Sequence, residues 1–539
     1  MNKYKIAALS VCGGILSGLA WTDWCHGIIL LIGFVPFLYI ENYLYENNRN
    51  YPPHVCFLYL LPGFVIFSIL TLGWIRSVSI TAAVCVILFS GFLMSFTVWL
   101  AHIVRLKEKT SLVYYVSLIA FWLTFEFFCL RALVLSPWIN LGNGLSKNIM
   151  FIQWYEVTGT AGGTLWILLS NLFLFLFLNN LSVKGRNRIV YLTVWIVIVI
   201  LPSAFSVARY NTIITSSLSG TEVVIVQPNF DPFGEKFTIP FEKQLEKALS
   251  MAGSEVTEST GWLVMPETLV DDPADETRLS DNKYITMIKA FAEKNPSVSI
   301  VTGIVSFISS SSEGGTGRNN WKNQQISTVS NKYFNSAIKI DTSAEIEIYH
   351  KSRLVPGFEF IPAKGIVRII TSILPELGGQ NRGYSIQDKR TCFVNSVSLQ
   401  KIVPVICYES VFGEYLTDAI KQGAVAIFII TNDGWWKNTS GYKQHLSVSS
   451  LRAIETRRPV VRAANTGISC FIDIRGKATF KTSWWKTETI KGNIYPENRI
   501  TPYVKYGDFL MKLALMLSII ILMSVFCIKP VLKKRGKSV

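Results

Sequence analysis

The sequence predicts a multi-pass helical membrane bundle carrying a layered α/β domain. Of 539 residues, 50% are hydrophobic and the mean hydropathy is +0.35, more apolar than water-soluble enzymes run. That apolarity is concentrated in residues 1–210 and 507–528, whereas 220–500 has an ordinary globular composition. Within 220–500, Val/Ile runs alternate with stretches of helical spacing, the rhythm of an α/β domain.

A bilayer core takes roughly 20 apolar helical residues. Runs of this kind cover 4–20, 26–45, 55–75, 79–104, 112–131, 162–182, 189–208 and 507–528, which makes about eight spans. The opening "MNKYKIAALSVCGGILSGLAW" has the basic front and small-residue end of a signal peptide, and "LSVC" approaches a lipoprotein cleavage box. Val11 is too large before that cysteine, however, and more apolar spans follow at once, so the segment reads as a retained first span.

The net charge of +16 suggests nucleic acid until its placement is read. Lys3 and Lys5, Arg49, the Arg105–Lys109 group, Lys184 with Arg186 and Arg188, and the basic tail 529–539 fall on alternate connections. The loops between them hold only Arg76, Arg131 and Lys147. By the positive-inside rule both termini are cytoplasmic. The domain at 220–500 follows an odd number of spans and is expected outside the cytoplasm. A membrane partner is therefore expected, and no nucleic acid.

Nine cysteines show no CxxC or Cys/His spacing, so no metal site is expected. No G-x-G-x-x-G or P-loop points to a cofactor. Cys392, Cys407 and Cys470 lie in the exported segment, where disulfides are permitted, and their odd number leaves at least one free thiol.

Strands are expected at "EVVIVQPN", "GWLVMPET", "VSIVTGIVSF", "YFNSAIKID", "IEIYHKSRL", "IVPVICYES", "AVAIFIITND" and "VVRAANTGISCFID". Helices are expected at 240–251, 281–294, 411–422 and 443–457, and a polar surface loop at 309–320. Glu267, Lys351 and Cys407 each end one of these strands, and strand ends in α/β sheets converge on clefts. Singly, Glu267 reads as well as a helix cap, Lys351 as a solvated charge and Cys407 as a small core residue. Together they form a thiol nucleophile, a carboxylate base and an ammonium for an oxyanion.

The words "MPET", "YHKSRLVPGFEF" and "VICYES" resemble, in order and spacing, the Glu–Lys–Cys signature of the nitrilase superfamily. With the spans, "NDGWW" and "RAIETRRPVVRAANTGIS", the resemblance narrows to the apolipoprotein N-acyltransferase family. It implies a nitrilase-like α-β-β-α sandwich on a membrane bundle, in the bacterial inner membrane with the catalytic domain on the periplasmic side. It also implies acyl transfer from a phospholipid to the amino group of a diacylated apolipoprotein, through a cysteine thioester. By matching position Cys407 would be the nucleophile, Glu267 the base and Lys351 the oxyanion cation. Glu359 and Glu409 would be supporting carboxylates, and Tyr408 and Trp435 would line the acyl and lipid access path. The family wording is Phe-Gly before Glu359, where this chain has Gly357-Phe358, which puts the local loop geometry in question. A membrane-tethered amidase using the same three residues with water as acceptor is the alternative.

Other features stay open. His350 or His445 would pair with Cys407 in a cysteine-protease arrangement. The apolar stretch 353–379 reads as a lid, a membrane-touching loop or a buried helix. "QPNFDPFGEKF", with Phe237, reads as a mobile loop or a plain turn. Glu126 lies near a span end, where pairing with Arg131 or snorkelling is expected, and Trp138 reads as an interfacial anchor.

Overall fold

The structure, a computed structural model, describes residues 1–132, 136–181, 186–215, 220–310, 330–360 and 383–528. The stretch 361–379, most of the 309–320 loop, Lys184 and the tail 529–539 lie outside the described residues. Among the described residues eight helices are long and apolar enough to cross a membrane. They are Lys3–Trp21, Gly27–Glu46, His54–Ser77, Ile80–Glu108, Ser111–Cys129, Tyr155–Asn179, Asn187–Thr212 and Phe509–Ile528, close to the runs expected from composition.

The second span is not one regular helix. It runs as Gly27–Ile29, Leu30–Gly33 and Val35–Glu46, with Pro36 at the start of the last piece. The amides of Phe34 and Val35, freed at the break, donate to Asn171 Oδ1 on the sixth span at 2.7 and 3.1 Å. A side chain thus supplies the acceptor that lipid cannot. The first and third spans meet backbone to backbone. A Cβ on Gly14 would lie 2.1 Å from the Gly63 carbonyl oxygen, a close approach open only to glycine. The seventh span is held loosely, with 6% of its most apolar stretch buried against 72% for the second.

Two expectations for the bundle are corrected. Glu126 neither pairs with Arg131 nor snorkels. It is fully buried and accepts from Trp122 Nε1, Leu141 N and Thr164 Oγ1 at 3.1, 2.7 and 2.7 Å. Arg131 instead pairs with Glu414 of the domain. Trp138 is not an interfacial anchor but 5% exposed, edge-on to Trp74 and Trp436.

The domain is two sheets packed face to face. One runs β13(Glu488–Ile494), β1(Thr221–Gln227), β2(Thr260–Val264), β4(Ser299–Ser310), β5(Ser330–Ile340) and β6(Glu347–His350), with β3(Val270–Asp275) beside β4. The other runs β12(Ala478–Thr479), β11(Cys470–Ile472), β10(Val460–Ala464), β9(Ala426–Thr431), β8(Lys401–Ile406) and β7(Phe393–Val394). Strand alternation sends Val223 and Ile225 inward against Phe428 and Val461, and Val224 and Val226 outward against Leu245 and Ala248. Each such residue, fully buried, stabilises the fold by about 1.5–3 kcal/mol. Helices Phe241–Gly253 and Lys283–Lys294 cover the first sheet, which gives the expected α-β-β-α sandwich.

The helix Ser440–Thr456 covers the second sheet and is buried on both sides. Ala453 joins the sheet's outer face, whereas Val448, Leu451 and Ile454 enter the core of the membrane bundle. Its polar groups are tied across the joint. Glu455 accepts from Thr160 N at 3.2 Å, and Gln444 donates to the carbonyl of Thr71 at 3.2 Å. The "VVRAANTGISCFID" run is two antiparallel strands, β10 and β11, turned at Asn465–Ser469, and the 411–422 stretch keeps α-helix only over Thr417–Lys421.

Candidate active site

Three loops bring the strand-end residues together. Glu267 follows β2 on a loop sewn to β4, where Gly303 N donates to Pro266 O at 3.1 Å and Leu269 N to Gly303 O at 2.9 Å. A Cβ on Gly303 would stand 2.6 Å from the Glu267 Cα, so only glycine lets the loop lie this close. Lys351 follows β6, its amide donating to Asn335 O at 2.8 Å. Cys407 follows β8 and opens the turn Cys407–Val411 with φ +49°, in the left-handed region. Such a conformation is uncommon for a non-glycine residue and accumulates at functional sites. Ser410 Oγ at 2.9 Å and His445 Nε2 at 3.1 Å both bond the Cys407 carbonyl oxygen.

The polar centre is buried and closely bonded. Lys351 Nζ donates to Glu267 Oε1 at 3.0 Å and to Glu359 Oε1 at 2.8 Å. Asn335 Nδ2 donates to the same two oxygens, at 2.8 Å each. Burial works against the Glu267 carboxylate, but the charge of Lys351 and the bonds from Asn335 and Lys351 outweigh it and hold its pKa below the usual range. Burial likewise opposes the Lys351 ammonium, and Glu267, Glu359 and Cys407 together hold it well above its ordinary value. Burial, helped by Glu267, pushes the Cys407 thiol up against the pull of Lys351. At rest the site therefore holds a protonated thiol beside an ionised carboxylate and an ammonium, a set able to pass a proton from thiol to carboxylate.

Glu359 reaches Lys351 despite the inverted Gly357-Phe358 order. Gly357 takes φ +82°, and Val355 N donates to Glu359 Oε2 at 2.8 Å, closing the loop around the carboxylate. Glu409 is fully buried and ties two loops. Its Oε1 accepts from Tyr349 OH at 2.6 Å and Ser352 N at 2.7 Å, and its Oε2 from Ile406 N at 2.8 Å. The two amides adjoin Lys351 and Cys407 in sequence, so one carboxylate sets the spacing of the loops that carry these two residues.

Tyr408 is half-buried, edge-on to Phe412 at 5.1 Å and packed against the bundle core. Trp435 packs with Phe233 at 5.3 Å, while its neighbour Trp436 meets Trp74 and His445. The "QPNFDPFGEKF" segment forms the short helix Glu235–Thr238, and Phe237 is exposed. Neither histidine pairs with the thiol. His350 bonds Glu276 at 2.8 Å and stacks on Phe334, and His445 Nδ1 bonds Asp433 at 3.0 Å. Cys392 and Cys470 are free. Sequence reasoning missed Asn335. Its signal is a buried amide in the apolar strand "YFNSAIKI", where a polar side chain needs partners.

The carbon-nitrogen hydrolase family profile matches residues 208–500, more than half of the chain, and that of the apolipoprotein N-acyltransferase N-terminal domain matches 13–173. The apolipoprotein N-acyltransferase of Rickettsia prowazekii is 27% identical over 97% of this chain and 98% of its own. That of Chlorobaculum tepidum is 27% identical over 69% of each. Among solved structures, Saccharomyces cerevisiae Nit3 of the nitrilase superfamily aligns at 15% identity and a TM-score of 0.37, over 51% of this chain and 90% of that one. The chain belongs to the carbon-nitrogen hydrolase family, as a membrane-embedded acyltransferase of the apolipoprotein N-acyltransferase kind.

Proposed function

We propose that the chain transfers an acyl group from a membrane phospholipid to the α-amino group of a diacylglyceryl-cysteine at the N-terminus of an apolipoprotein. Residues 1–210 and 507–528 form the bundle, 220–500 the catalytic domain facing the periplasm, and 529–539 a cytoplasmic tail of an inner-membrane protein. The observation that carries the reaction is the bonded set Glu267–Lys351–Asn335–Glu359 beside a left-handed Cys407.

Glu267 takes the thiol proton as Cys407 Sγ attacks the ester carbonyl, with Lys351 and turn amides facing the developing oxyanion. Collapse breaks the ester C–O bond. Glu267 returns the proton to the leaving alkoxide, and a lysophospholipid departs. The acceptor amine then attacks the thioester carbonyl, Glu267 removes a proton from it, and the C–S bond breaks to give the amide and the thiol. Tyr408 and Trp435 line the lipid's path.

The test is the intact mass of the full chain in detergent after mixing with phospholipid. Wild type should gain one acyl group, lost on adding a diacylated lipopeptide amine. Cys407→Ala should gain none, and Cys392→Ala and Cys470→Ala should behave as wild type. An adduct that forms but is discharged by water as fast as by amine would assign the site to the amidase alternative.

A further inference from the structure

A cleft of about 400 Å³ opens at the foot of the domain, where it meets the ends of the fifth and last spans. Arg131 stands on one wall, Lys505 and Lys512 on another, and Arg353 and Lys421 come from the domain. Glu414 is shared by Arg131 and Lys512, and Asp508 lies 3.8 Å from Arg131. Lys421 meets the exposed Asp418, at 3.7 Å. Among the described residues, Arg353 and Lys505 have no carboxylate within ion-pair distance. The Arg353 guanidinium lies over the rings of Phe412 and Tyr415, 5.4 and 5.5 Å from their centroids. Stacking of this kind fixes the plane of the group and directs its N–H edge, a fork suited to a phosphate.

Position adds to charge. Arg131 follows the C-terminal end of the fifth membrane-crossing helix and Lys512 lies in the first turn of the last, so the cleft lies at the level of lipid headgroups. Arg353 is two residues from Lys351, which places their Cα atoms within about 7 Å. Phe412 and Tyr415, over which Arg353 lies, follow directly on the turn that begins at Cys407. In a glycerophospholipid only the glycerol separates the phosphate from the ester to be cleaved. We propose that this cleft binds the phosphodiester of the acyl donor, with Arg353 and Lys505 as its cations. This rests on the phospholipid-donor reading above.

The test compares two donors on the full chain in detergent: phosphatidylglycerol, and p-nitrophenyl palmitate, which has no phosphate. Each single variant, Lys505→Gln and Arg353→Gln, removes a charge-assisted contact, so acylation of Cys407 at limiting phosphatidylglycerol should fall about tenfold per residue. The ratio between donors should shift by the same factor, and Arg353→Lys should recover only part of it. Equal losses on both donors, or no loss on either, would overturn the proposal. If wild type accepts the p-nitrophenyl ester but never phosphatidylglycerol, the donor reading fails by itself, and binding decides the cleft. In Cys407→Ala, short-chain phosphatidylglycerol should then raise the melting temperature, and the added Lys505→Gln should remove that rise. Stabilisation by inorganic phosphate alone, or stabilisation that survives Lys505→Gln, would overturn the assignment to a lipid phosphodiester.

Discussion

Asn335 shows how one amide organises a pair of carboxylates. By donating to Glu267 and Glu359 together it keeps two carboxylates on one ammonium without their repelling each other apart. The consequence is a base that stays ionised in acid. Because the pKa of Glu267 lies below its ordinary value, single-turnover acylation should hold level as pH falls from neutral and drop only below about pH 4, the usual glutamate range. In Lys351→Met the depressing charge is gone and burial dominates, so the acid limb should move up towards neutrality. Glu267→Gln should lower acylation roughly 10²–10⁴-fold wherever wild-type Glu267 is ionised, and the deficit should narrow below the acid limb. The sign holds for stability as well. A depressed carboxylate adds stability above its unfolded pKa and loses it as pH falls through the folded one. The convergence of Glu267, Lys351 and Cys407, here proposed as base, cation and nucleophile, was legible because each ends a strand run. Asn335 was not, since it sits mid-strand and its role depends on which loops face it.

At the scale of elements, Glu409 acts as a strap between the end of β8 and the loop after β6. Glu409→Gln keeps the shape but exchanges an oxygen for an NH₂, setting donor against donor at Ser352 N or Ile406 N. Acylation should fall about 10–100-fold, the range for outer-shell hydrogen bonds that orient a site. Reaction of a covalent thiol probe with Cys407 should slow less, since it builds no oxyanion for Lys351 to face. A loss of both in equal measure, with a lowered melt, would mark Glu409 as a folding residue instead. Strands of the inner layers were readable from their Val and Ile. β3, "VDDPAD", and β13, "ETIKGNI", were not, because an edge or half-exposed strand carries polar residues and β3 carries a proline. The break in the second span was hidden too, since Asn171, which makes it tolerable, lies 136 residues away from Val35.

For the whole molecule, the fold leaves its helices unequal. The second span is lined by protein on most sides, and hydropathy of 1.7 suffices for it, whereas the seventh has 2.3 and touches little but its sixth-span neighbour. Among the contacts that hold it are Trp166 Nε1 to Ile198 O at 2.7 Å, Trp195 Nε1 to Ser170 Oγ at 3.1 Å, Gln153 N to Ser206 Oγ at 2.6 Å and Arg209 to Glu156, with Ile198 and Val199 packed on the bundle core. Ile200 is 58% exposed on this helix. Ile200→Arg should therefore act through the lipid, costing about 2.5–3.5 kcal/mol for a charge at mid-helix. A reporter fused after Tyr495 should shift from the exported to the cytoplasmic signal, and unchanged export would show that the bundle carries the span.

That looseness has a consequence for how the chain is made. On the proposed topology the seventh helix emerges from the ribosome immediately before the domain that it delivers across the membrane, and it cannot wait for later partners to become acceptable to lipid. Its own side chains must be the instruction to insert. The early spans, by contrast, are free to carry Glu41, Glu126 and a broken helix, because later segments arrive to cover them. Of the eight spans the one with least protein around it is, on the proposed topology, the one on which delivery of the 220–500 domain depends.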